Sequence, residues 1–361
     1  MKILIIANSI VGAEPGVTGG ESRFIELAKC WSKKGYEIHL MSGKAGKVLC
    51  EKMGLPVTLH SISNSPNIGR LEIIAVFFKM LFHLPALLFS FKEGIVYSGS
   101  EQIYDVFPGF LLKLFRPSKI RFGVVTHWLP PALFWKRKNS NFLFSLMFLI
   151  SERLGLLFAN LNADVLLPVS EDTLSALKTS IFNRKPAHFV LCGVNFDEIN
   201  SYFPEREEKK YDAVFMKRLQ RTKGILDLVE IWAETDKGLD KNIEFAGVIY
   251  DPAEKFKKMW QSKVFVLPSY EENWAIVIGE AMAAGIPVVC YDLKELRAVW
   301  EDNVIYAKTG DKKDLLDKVM YLLENEPERA KMAQKAREFV KKYSWNKIAD
   351  TELSLILGIN P

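Results

Sequence analysis

Cysteine is scarce in this sequence: the 361 residues include only four, and none belongs to a C-x-x-C pair. Cysteines so widely spaced exclude a zinc ribbon and a disulfide framework, and they are typical of a reducing cytoplasm. The sequence also lacks internal repeats, low-complexity tracts and the G-x-G-x-x-G fingerprint of dinucleotide-binding proteins. We therefore expect a cytoplasmic protein without a cysteine-bound metal.

The apolar start of the chain is short. Ile3–Ala7 is followed at once by Asn8 and a glycine-rich loop, so a buried first strand is a better interpretation than a secretion signal. Hydrophobic residues make up 49% of the chain and charged residues 25%, which excludes wholesale disorder and the fibrous classes. The length predicts two domains, since one domain commonly holds about 100–200 residues.

The net charge of +5 is unevenly distributed along the chain. Residues 1–200 carry 22 Lys and Arg against 15 Asp and Glu, whereas the remaining residues carry 26 against 28. A basic first half indicates a negatively charged partner. No recognition helix or RNA-binding strand signature is present, so nucleic acid is disfavoured as that partner. An anionic membrane surface fits better, because aromatic residues lie beside a basic cluster in Phe134–Lys138.

Short runs rich in Val, Ile and Leu alternate with segments of helical length, which predicts an α/β fold with two doubly wound parallel sheets in series. The strands expected in the first half are Ile3–Ala7, Glu37–Met41, Gly94–Ser98, Arg121–Thr126 and Asp164–Val169. Those expected in the second half are Asp212–Phe215, Asn242–Ala246, Val264–Pro268 and Pro287–Tyr291. A charged segment, Glu205–Lys210, then indicates a domain boundary after residue 203.

Two segments are unusually apolar, Ile73–Phe91 and Phe142–Ala159. The first is long enough to span a bilayer, but Lys79, His83 and Ser90 project from one side of the expected helix. Such a polar stripe favours a helix packed on a sheet, with part of its surface touching lipid. The second segment is either a core helix or a helix at a membrane surface, and the sequence leaves both interpretations open.

Three segments could hold an anion or a sugar. Gly19-Gly20 opens an expected helix and offers bare backbone N–H groups, although an ordinary long loop explains these glycines equally well. Met216–Gly224 contains four cations at the carboxyl end of an expected strand, where open α/β sheets bind ligands; a solvated basic turn is the alternative. Glu280 lies in an otherwise apolar helix, which indicates either ligand hydroxyls or a backbone or arginine partner.

The segment Ser269–Val289 resembles the signature of the family 4 retaining glycosyltransferases, also described as glycosyl transferases group 1. Those proteins carry two glutamates separated by seven residues, here Glu272 and Glu280, followed by Ala-Met-Ala-x-Gly-x-Pro-Val-Val. Other segments resemble further family motifs in the same order: Thr18–Glu21, Val125–His127, Val169–Glu171, Gly193–Asn195, Arg218–Gly224 and Tyr343–Trp345.

The resemblance implies a GT-B fold, in which two Rossmann-like domains face each other across a cleft. Residues 1–203 would form the acceptor-side domain and residues 204–344 the nucleotide-sugar domain. Residues 345–361 would form a C-terminal helix that packs back toward the first domain.

The resemblance also implies catalytic roles for four residues of this sequence. Arg218 and Lys223 would hold the donor diphosphate and stabilise the charge of the departing phosphate. Glu272 would bind hydroxyls of the transferred sugar, and His127 would contact that sugar from the opposite domain. Family members retain the anomeric configuration without a settled covalent nucleophile, so no residue is assigned that role.

The donor-binding residues that the resemblance implies are Gly19, Gly20, Asn273, Trp274, Ala275 and Glu280. The two glycines would lie against the diphosphate, the segment 273–275 beside the donor sugar, and Glu280 on the ribose hydroxyls. No cofactor is implied beyond the nucleotide diphosphate-sugar, which is itself a substrate. No D-x-D occurs in the sequence, which fits a metal-independent enzyme.

The sequence departs from the family pattern at three places. Lys217 precedes the arginine where a small residue is usual, and Asn273-Trp274-Ala275 replaces x-Phe-Gly. Only 39 residues separate Gly224 from Val264, so one βα unit of the second domain is expected to be absent.

Taken together, the residues and the resemblance predict a retaining hexosyltransferase that uses a nucleotide diphosphate-sugar donor and a lipid-linked or polysaccharide acceptor. It would act in the cytoplasm, peripherally at the inner face of the membrane. A catalytically inactive relative, acting as a binding or partner subunit at the membrane surface, stays open as the alternative. A GT-B-like epimerase or phosphorylase has less support, because no feature indicates a lysine-bound pyridoxal.

Overall fold

A computed structural model describes residues 1–10, 18–62, 72–127, 129, 142–202, 208–234 and 243–359. The chain forms two compact units: unit 1 is Met1–Leu191 with Asn346–Pro361, and unit 2 is Cys192–Trp345. The division expected after residue 203 adjoins a stretch outside the described residues and stays a prediction.

Unit 1 is built on six parallel strands, which follow the order β3-β2-β1-β4-β5-β6. They are β1 Lys2–Ile6, β2 Glu37–Gly43, β3 Thr58–Ile62, β4 Gly94–Ser98, β5 Ile120–Thr126 and β6 Val165–Pro168. Both faces of this sheet are covered, so a strand such as β1 is almost continuously apolar and its residues Ile3–Ile6 are fully buried. The five strands expected in this half are confirmed, and β3 was not predicted.

The helices of unit 1 are α1 Gly19–Lys33, α2 Lys44–Lys52, α3 Glu72–Ser90, α4 Ile103–Phe115, α5 Phe142–Asn162 and α6 Glu171–Thr179. α3, α4 and α5 pack side by side. Their buried residues join β1, β4 and β5 in one hydrophobic core. None of the helices in the described ranges is both long enough and apolar enough to cross a bilayer.

The described residues of unit 2 form four parallel strands in the order β10-β9-β8-β7. They are β7 Tyr211–Val214, β8 Ser262–Leu267, β9 Val288–Tyr291 and β10 Ile305–Ala307. The strand expected at Asn242–Ala246 is wrong, because residues 243–250 have no regular secondary structure. Within that stretch the exposed Glu244 accepts hydrogen bonds from the Tyr211 hydroxyl and the Lys258 ammonium.

The helices of unit 2 are α7 Phe196–Ser201, α8 Ile225–Glu234, α9 Pro252–Trp260, α10 Ile276–Ala283, α11 Lys294–Trp300, α12 Lys312–Glu324 and α13 Glu326–Val340. One more helix, α14 (Trp345–Leu357), leaves unit 2 after its first residue.

The rest of α14 is anchored within unit 1 by buried polar contacts. The Trp31 indole Nε1 donates to the Ala349 carbonyl at 3.0 Å. The Arg23 guanidinium forms a buried ion pair with Glu352, and the Tyr97 hydroxyl donates to the same carboxylate at 3.0 Å. Burial raises the pKa of Glu352 against the opposing charge of Arg23. Helix α14 is therefore an integral part of unit 1.

Two short sequence motifs meet inside unit 2. The Val194 backbone N–H donates to the Tyr343 carbonyl at 2.8 Å, and Val194 pairs with Ser344 in an isolated parallel bridge. A Cβ on Gly193 would lie 2.5 Å from a Trp345 ring carbon, so only glycine allows this approach. The two motifs, Gly193–Asn195 and Tyr343–Trp345, are thus paired through their backbones and packed against each other.

Candidate active site

The predicted site residues of unit 2 lie on two loops that follow β7 and β8, at the carboxyl ends of neighbouring parallel strands. The Tyr270 N–H donates to the Thr222 carbonyl at 2.9 Å and so joins the two loops. Gly224 has φ +72°, and a Cβ there would lie 1.8 Å from the Pro268 carbonyl oxygen. Only glycine can occupy this position, which fixes the turn Arg221–Lys223 against the end of β8.

Glu272 is the centre of a buried charge cluster. Its side chain is only 6% exposed, and its two carboxylate oxygens lie 3.0 Å from the Lys223 Nζ and 3.1 Å from the Lys217 Nζ. Burial alone would raise the pKa of Glu272, but the two ammonium groups together lower it below its ordinary value. Glu272 is therefore held as an ionised hydrogen-bond acceptor.

The same cluster carries a surplus of positive charge. Burial lowers the pKa of Lys223, Glu272 opposes that shift, and the charges of Lys217 and Arg218 add to it. The Lys223 Nζ also donates to the Glu271 carbonyl at 2.6 Å, which holds the ammonium at the end of β8. Arg218 is exposed at the same place. Three cations beside one buried carboxylate leave a net positive charge on this pair of loops, which can attract an anion.

The segment 273–275 leads from this cluster into α10. Asn273 is exposed, whereas Trp274 and Ala275 are buried, and the Trp300 indole Nε1 donates to the Trp274 carbonyl at 3.1 Å. Ala275 has φ 53° and ψ 68°, in the left-handed region where a residue with a Cβ costs about 1–2 kcal/mol. The family glycine missing at this position thus corresponds to a real conformational demand.

Glu280 lies on α10, and its partner comes from α9. The Lys255 Nζ donates to both carboxylate oxygens of Glu280, each at 2.6 Å. Lys255 was not predicted, since nothing in the sequence relates a lysine on one helix to a carboxylate 25 positions later. The partner of Glu280 is thus a lysine, where the sequence suggested ligand hydroxyls, the backbone or an arginine.

In unit 1 the structure brings Gly20, one of the two expected glycines, next to His127. A Cβ on Gly20 would lie 3.4 Å from the His127 ring, and Gly19 has no neighbour within 4 Å of such an atom. The His127 Nε2 donates to the Gly99 carbonyl at 2.9 Å, which fixes the orientation of the imidazole. The Thr18 N–H donates to the Glu21 carboxylate at 2.7 Å and stabilises the first turn of α1.

Gly20 and His127 line a cavity of about 180 Å³, which also contacts Ser9, Ser100 and Asp105. Asp105 is buried and accepts hydrogen bonds from the Asn8 N–H at 2.7 Å and the Ser100 hydroxyl at 2.5 Å. Burial raises the pKa of Asp105 to about 7 despite these bonds. Asp105 was not predicted as a site residue, because its position beside β1 results from the pairing of β1 with β4.

The structure therefore assembles two groups of the predicted residues, one in each unit. Unit 2 unites Arg218, Lys223 and Glu272 with the segment 273–275. Glu280 lies in the second turn of α10 and is bound by Lys255. Unit 1 unites Gly20 with His127.

Comparison with known proteins places this geometry in context. Residues 235–339 match the family described as Glycosyl transferases group 1. A phosphatidyl-myo-inositol mannosyltransferase of Mycobacterium leprae is 36% identical over 115 residues, which cover 31% of this chain and 30% of the relative. An N-acetylgalactosaminyltransferase of Campylobacter jejuni, named for a diphospho-undecaprenol substrate, is 35% identical over 94 residues, 26% of this chain and 25% of the relative. The chain thus matches less than a third of the length of either relative.

Solved structures resemble the whole chain at low sequence identity. Sucrose-phosphate synthase of Thermosynechococcus elongatus gives a TM-score of 0.73 at 16% identity and covers 99% of this chain and 98% of its own. HepE of Anabaena, solved with UDP and glucose, gives a TM-score of 0.73 at 18% identity, and the match covers 99% of this chain and 100% of HepE. The α/β architecture with two parallel sheets is confirmed, and it is the GT-B fold.

Proposed function

We propose that this protein is a glycosyltransferase that moves a sugar from a nucleotide diphosphate-sugar to a lipid-linked or polysaccharide acceptor, with retention of configuration. The observation that carries the proposal is the cluster of Lys217, Arg218 and Lys223 around Glu272 in unit 2. A pyrophosphate needs concentrated positive charge, and a sugar needs a fixed hydrogen-bond acceptor. This cluster supplies both within one pair of loops.

The cations would act on the diphosphate. Negative charge grows on the departing phosphate as the glycosidic bond breaks, and preorganised cations stabilise that charge more strongly than water does. Lys223 is already held in place by Glu272 and the Glu271 carbonyl, so little reorganisation is needed. Arg218, with its side chain in solvent, offers the planar fork that matches phosphate oxygens.

The acidic residues and His127 would bind hydroxyl groups. Glu272 would accept hydrogen bonds from the transferred sugar, and Glu280 from the donor ribose after sharing or displacing Lys255. His127 would contact the transferred sugar, with Gly19 and Gly20 against the diphosphate. In this proposal unit 1 is the acceptor side, unit 2 holds the donor, and no metal takes part in the transfer.

The names of the relatives support the choice of substrates. The Mycobacterium leprae relative is named for phosphatidyl-myo-inositol and the Campylobacter jejuni relative for a diphospho-undecaprenol, so both names contain a lipid. HepE of Anabaena was solved with UDP-glucose, a nucleotide-sugar donor. An acceptor carried by a lipid fits a cytoplasmic protein that works peripherally at the inner face of a membrane.

Replacing both phosphate-binding cations tests the proposal. The double variant Arg218→Ala/Lys223→Ala should lose at least about 10³-fold in transfer rate, since single groups of this kind contribute about 10²–10³. Lys217 remains as a partner for Glu272, so we expect the variant to stay folded. Lys331→Ala/Lys341→Ala, on exposed ion pairs of unit 2, is the matched control. A fully active Arg218/Lys223 variant would refute the assignment.

A second candidate function is a catalytically inactive GT-B subunit that binds a partner at the membrane surface. The observation that favours it is the four-stranded sheet of unit 2, together with the absence of a strand over residues 243–250. A donor panel separates the two functions. A folded protein that releases no nucleotide diphosphate from any donor, with or without a lipid-linked acceptor, supports the inactive subunit.

A further inference from the structure

Three neighbouring helices of unit 1 expose an unusual number of large apolar side chains. On α3 the rings of Phe78, Phe82 and Phe89 are 64%, 82% and 78% exposed. The remaining members are Ile74 on α3, Leu114 and Phe115 on α4, and Phe142, Leu143, Ile150, Leu154, Leu157 and Leu161 on α5. We call these twelve residues the apolar face. They expose together on the order of 1,000 Å², whereas monomers rarely expose more than a few hundred in one patch.

Helix α3 has three distinct sides. Val76, Met80, Leu84 and Leu87 are buried in the core of unit 1, and Lys79 and His83 form a polar stripe beside them. The exposed phenylalanines Phe78 and Phe82 are four residues apart and Phe89 follows seven later, so all three project from the same side. A helix that only packs on a sheet needs one apolar side, but α3 has two.

Helix α5 buries polar side chains among apolar ones such as Leu156, and its exposed side is apolar. Its buried residues include Ser145, Ser151, Glu152 and Asn160. Every exposed residue described on α5 is apolar, and Arg153 is half-buried. Burial of polar groups costs free energy, and so does exposure of leucine. A second apolar environment on the outer side of α5 would remove the latter cost.

The apolar face is continuous across the helix layer. α3 packs against α4, and α4 packs against α5. The Arg116 Nη2 at the end of α4 donates to the Leu88 carbonyl on α3 at 2.7 Å, which brings Phe89 and Phe115 to the same end of the layer. The exposed side chains therefore belong to one side of unit 1.

Positive charge borders this face. Lys92 and Lys119 are exposed where α3 and α4 end, and the exposed Arg121 beside them pairs with Asp164 at 3.6 Å. Of the acidic residues between positions 92 and 121, Glu101 and Asp105 are buried and Glu93 is exposed. An apolar surface with aromatic rings and a basic border is complementary to an anionic bilayer, in which rings lie at headgroup level and cations contact phosphate.

We infer that the apolar face docks unit 1 onto the surface of an anionic lipid bilayer, with Phe78, Phe82 and Phe89 inserted among the headgroups. A second copy of the chain is a poorer occupant, because a two-fold contact through this face would bring its basic borders together. The inference rests on the membrane attachment included in the proposed function, and it names the surface responsible.

Vesicle co-sedimentation without donor or acceptor tests the inference. The wild type should bind vesicles of phosphatidylcholine mixed with phosphatidylglycerol, and bind pure phosphatidylcholine at least tenfold more weakly. The variant Phe78→Ser/Phe82→Ser/Phe89→Ser should bind the anionic vesicles at least a hundredfold more weakly. Ile181→Ser, which changes an 84% exposed residue of unit 1 outside the apolar face, is the matched control.

A charge variant gives an independent readout. Lys92→Glu/Lys119→Glu changes two exposed residues and should weaken anionic binding at least tenfold. The control variant Lys331→Glu in unit 2 should not weaken anionic binding.

The inference is overturned if the wild type binds no vesicle, or if the serine variant binds as the wild type does. It is also overturned if the serine variant splits a wild-type dimer. Nucleotide release from a donor is assayed separately, so a failure here is distinguishable from failure of the transferase proposal.

Discussion

Glu272 accepts hydrogen bonds from two lysines, Lys217 and Lys223. Of these two, only Lys223 belongs to the family pattern that the sequence resembles. Lys217 lies 3.1 Å from the second carboxylate oxygen, so the departure from the family pattern contributes directly to the cluster. Both lysines lower the pKa of Glu272 against the effect of burial. The carboxylate can then accept hydrogen bonds from sugar hydroxyls over a wide pH range.

Lys217→Met should raise the pKa of Glu272, because one of two compensating cations is lost while burial remains. The acid limb of the kcat/KM profile should therefore shift to higher pH, and kcat/KM near neutrality should fall roughly tenfold. Lys217→Arg keeps the charge and should restore the wild-type limb. An acid limb that stays in place in the methionine variant would contradict the role given to Lys217.

At the residue scale, sequence reasoning identified the positions that lie close together along the chain. Glu272, Asn273 and Ala275 follow β8 directly, and their proximity to one another needs no tertiary information. Lys255 and Asp105 could not be predicted, because each reaches its neighbours only through the packing of distant elements. The assigned catalytic and donor-binding roles stay predictions.

Helix α5 contains a carboxyl group in an apolar setting. Glu152 is fully buried, and its second oxygen has no hydrogen-bond partner in the described part of the chain. Burial raises its pKa to about 8, opposed by Arg153 and supported by the charge of Glu101. At neutral pH the native state therefore binds a proton that the unfolded chain releases.

The pKa of Glu152 is higher in the folded protein than in the unfolded chain, so proton binding stabilises the folded state. This stabilisation is lost when the pH rises above the folded pKa and Glu152 ionises. Stability should fall as pH rises from about 4.5 to 8, by on the order of 2–4 kcal/mol from this group. Glu152→Gln keeps the shape and removes the titration. Urea unfolding at pH 5.5 and 8 should show a smaller loss for the variant; equal losses in both proteins would contradict the assignment.

At the scale of elements, buried strands were predictable and marginal ones were not. β1, β4 and β5 are largely apolar runs, which burial of both sheet faces explains. β3 and β10 lie at sheet edges; β3 mixes polar and apolar residues, and β10 has only three residues. Residues 243–246 alternate like a strand, yet they lack a strand neighbour, since β7 pairs only with β8 among the described residues.

For the whole molecule, the order of motifs along the chain was the informative signal. It predicted the GT-B fold and a shortened second unit before any contact was known. The contacts that hold α14 in unit 1 could not be predicted from the sequence. They are made by Arg23, Trp31 and Tyr97, which lie some 250 or more positions earlier in the chain. Local patterns do not encode such distant pairings.

In the proposed function, the loops after β7 and β8 bind the pyrophosphate of the donor. Calorimetric titration of the wild type and of Arg218→Ala/Lys223→Ala with UDP, GDP and ADP tests it most directly. We predict saturable binding of at least one nucleotide by the wild type, and binding at least a hundredfold weaker by the variant. If none of the three nucleotides binds the folded wild type, or if the variant binds as tightly, the claim is contradicted.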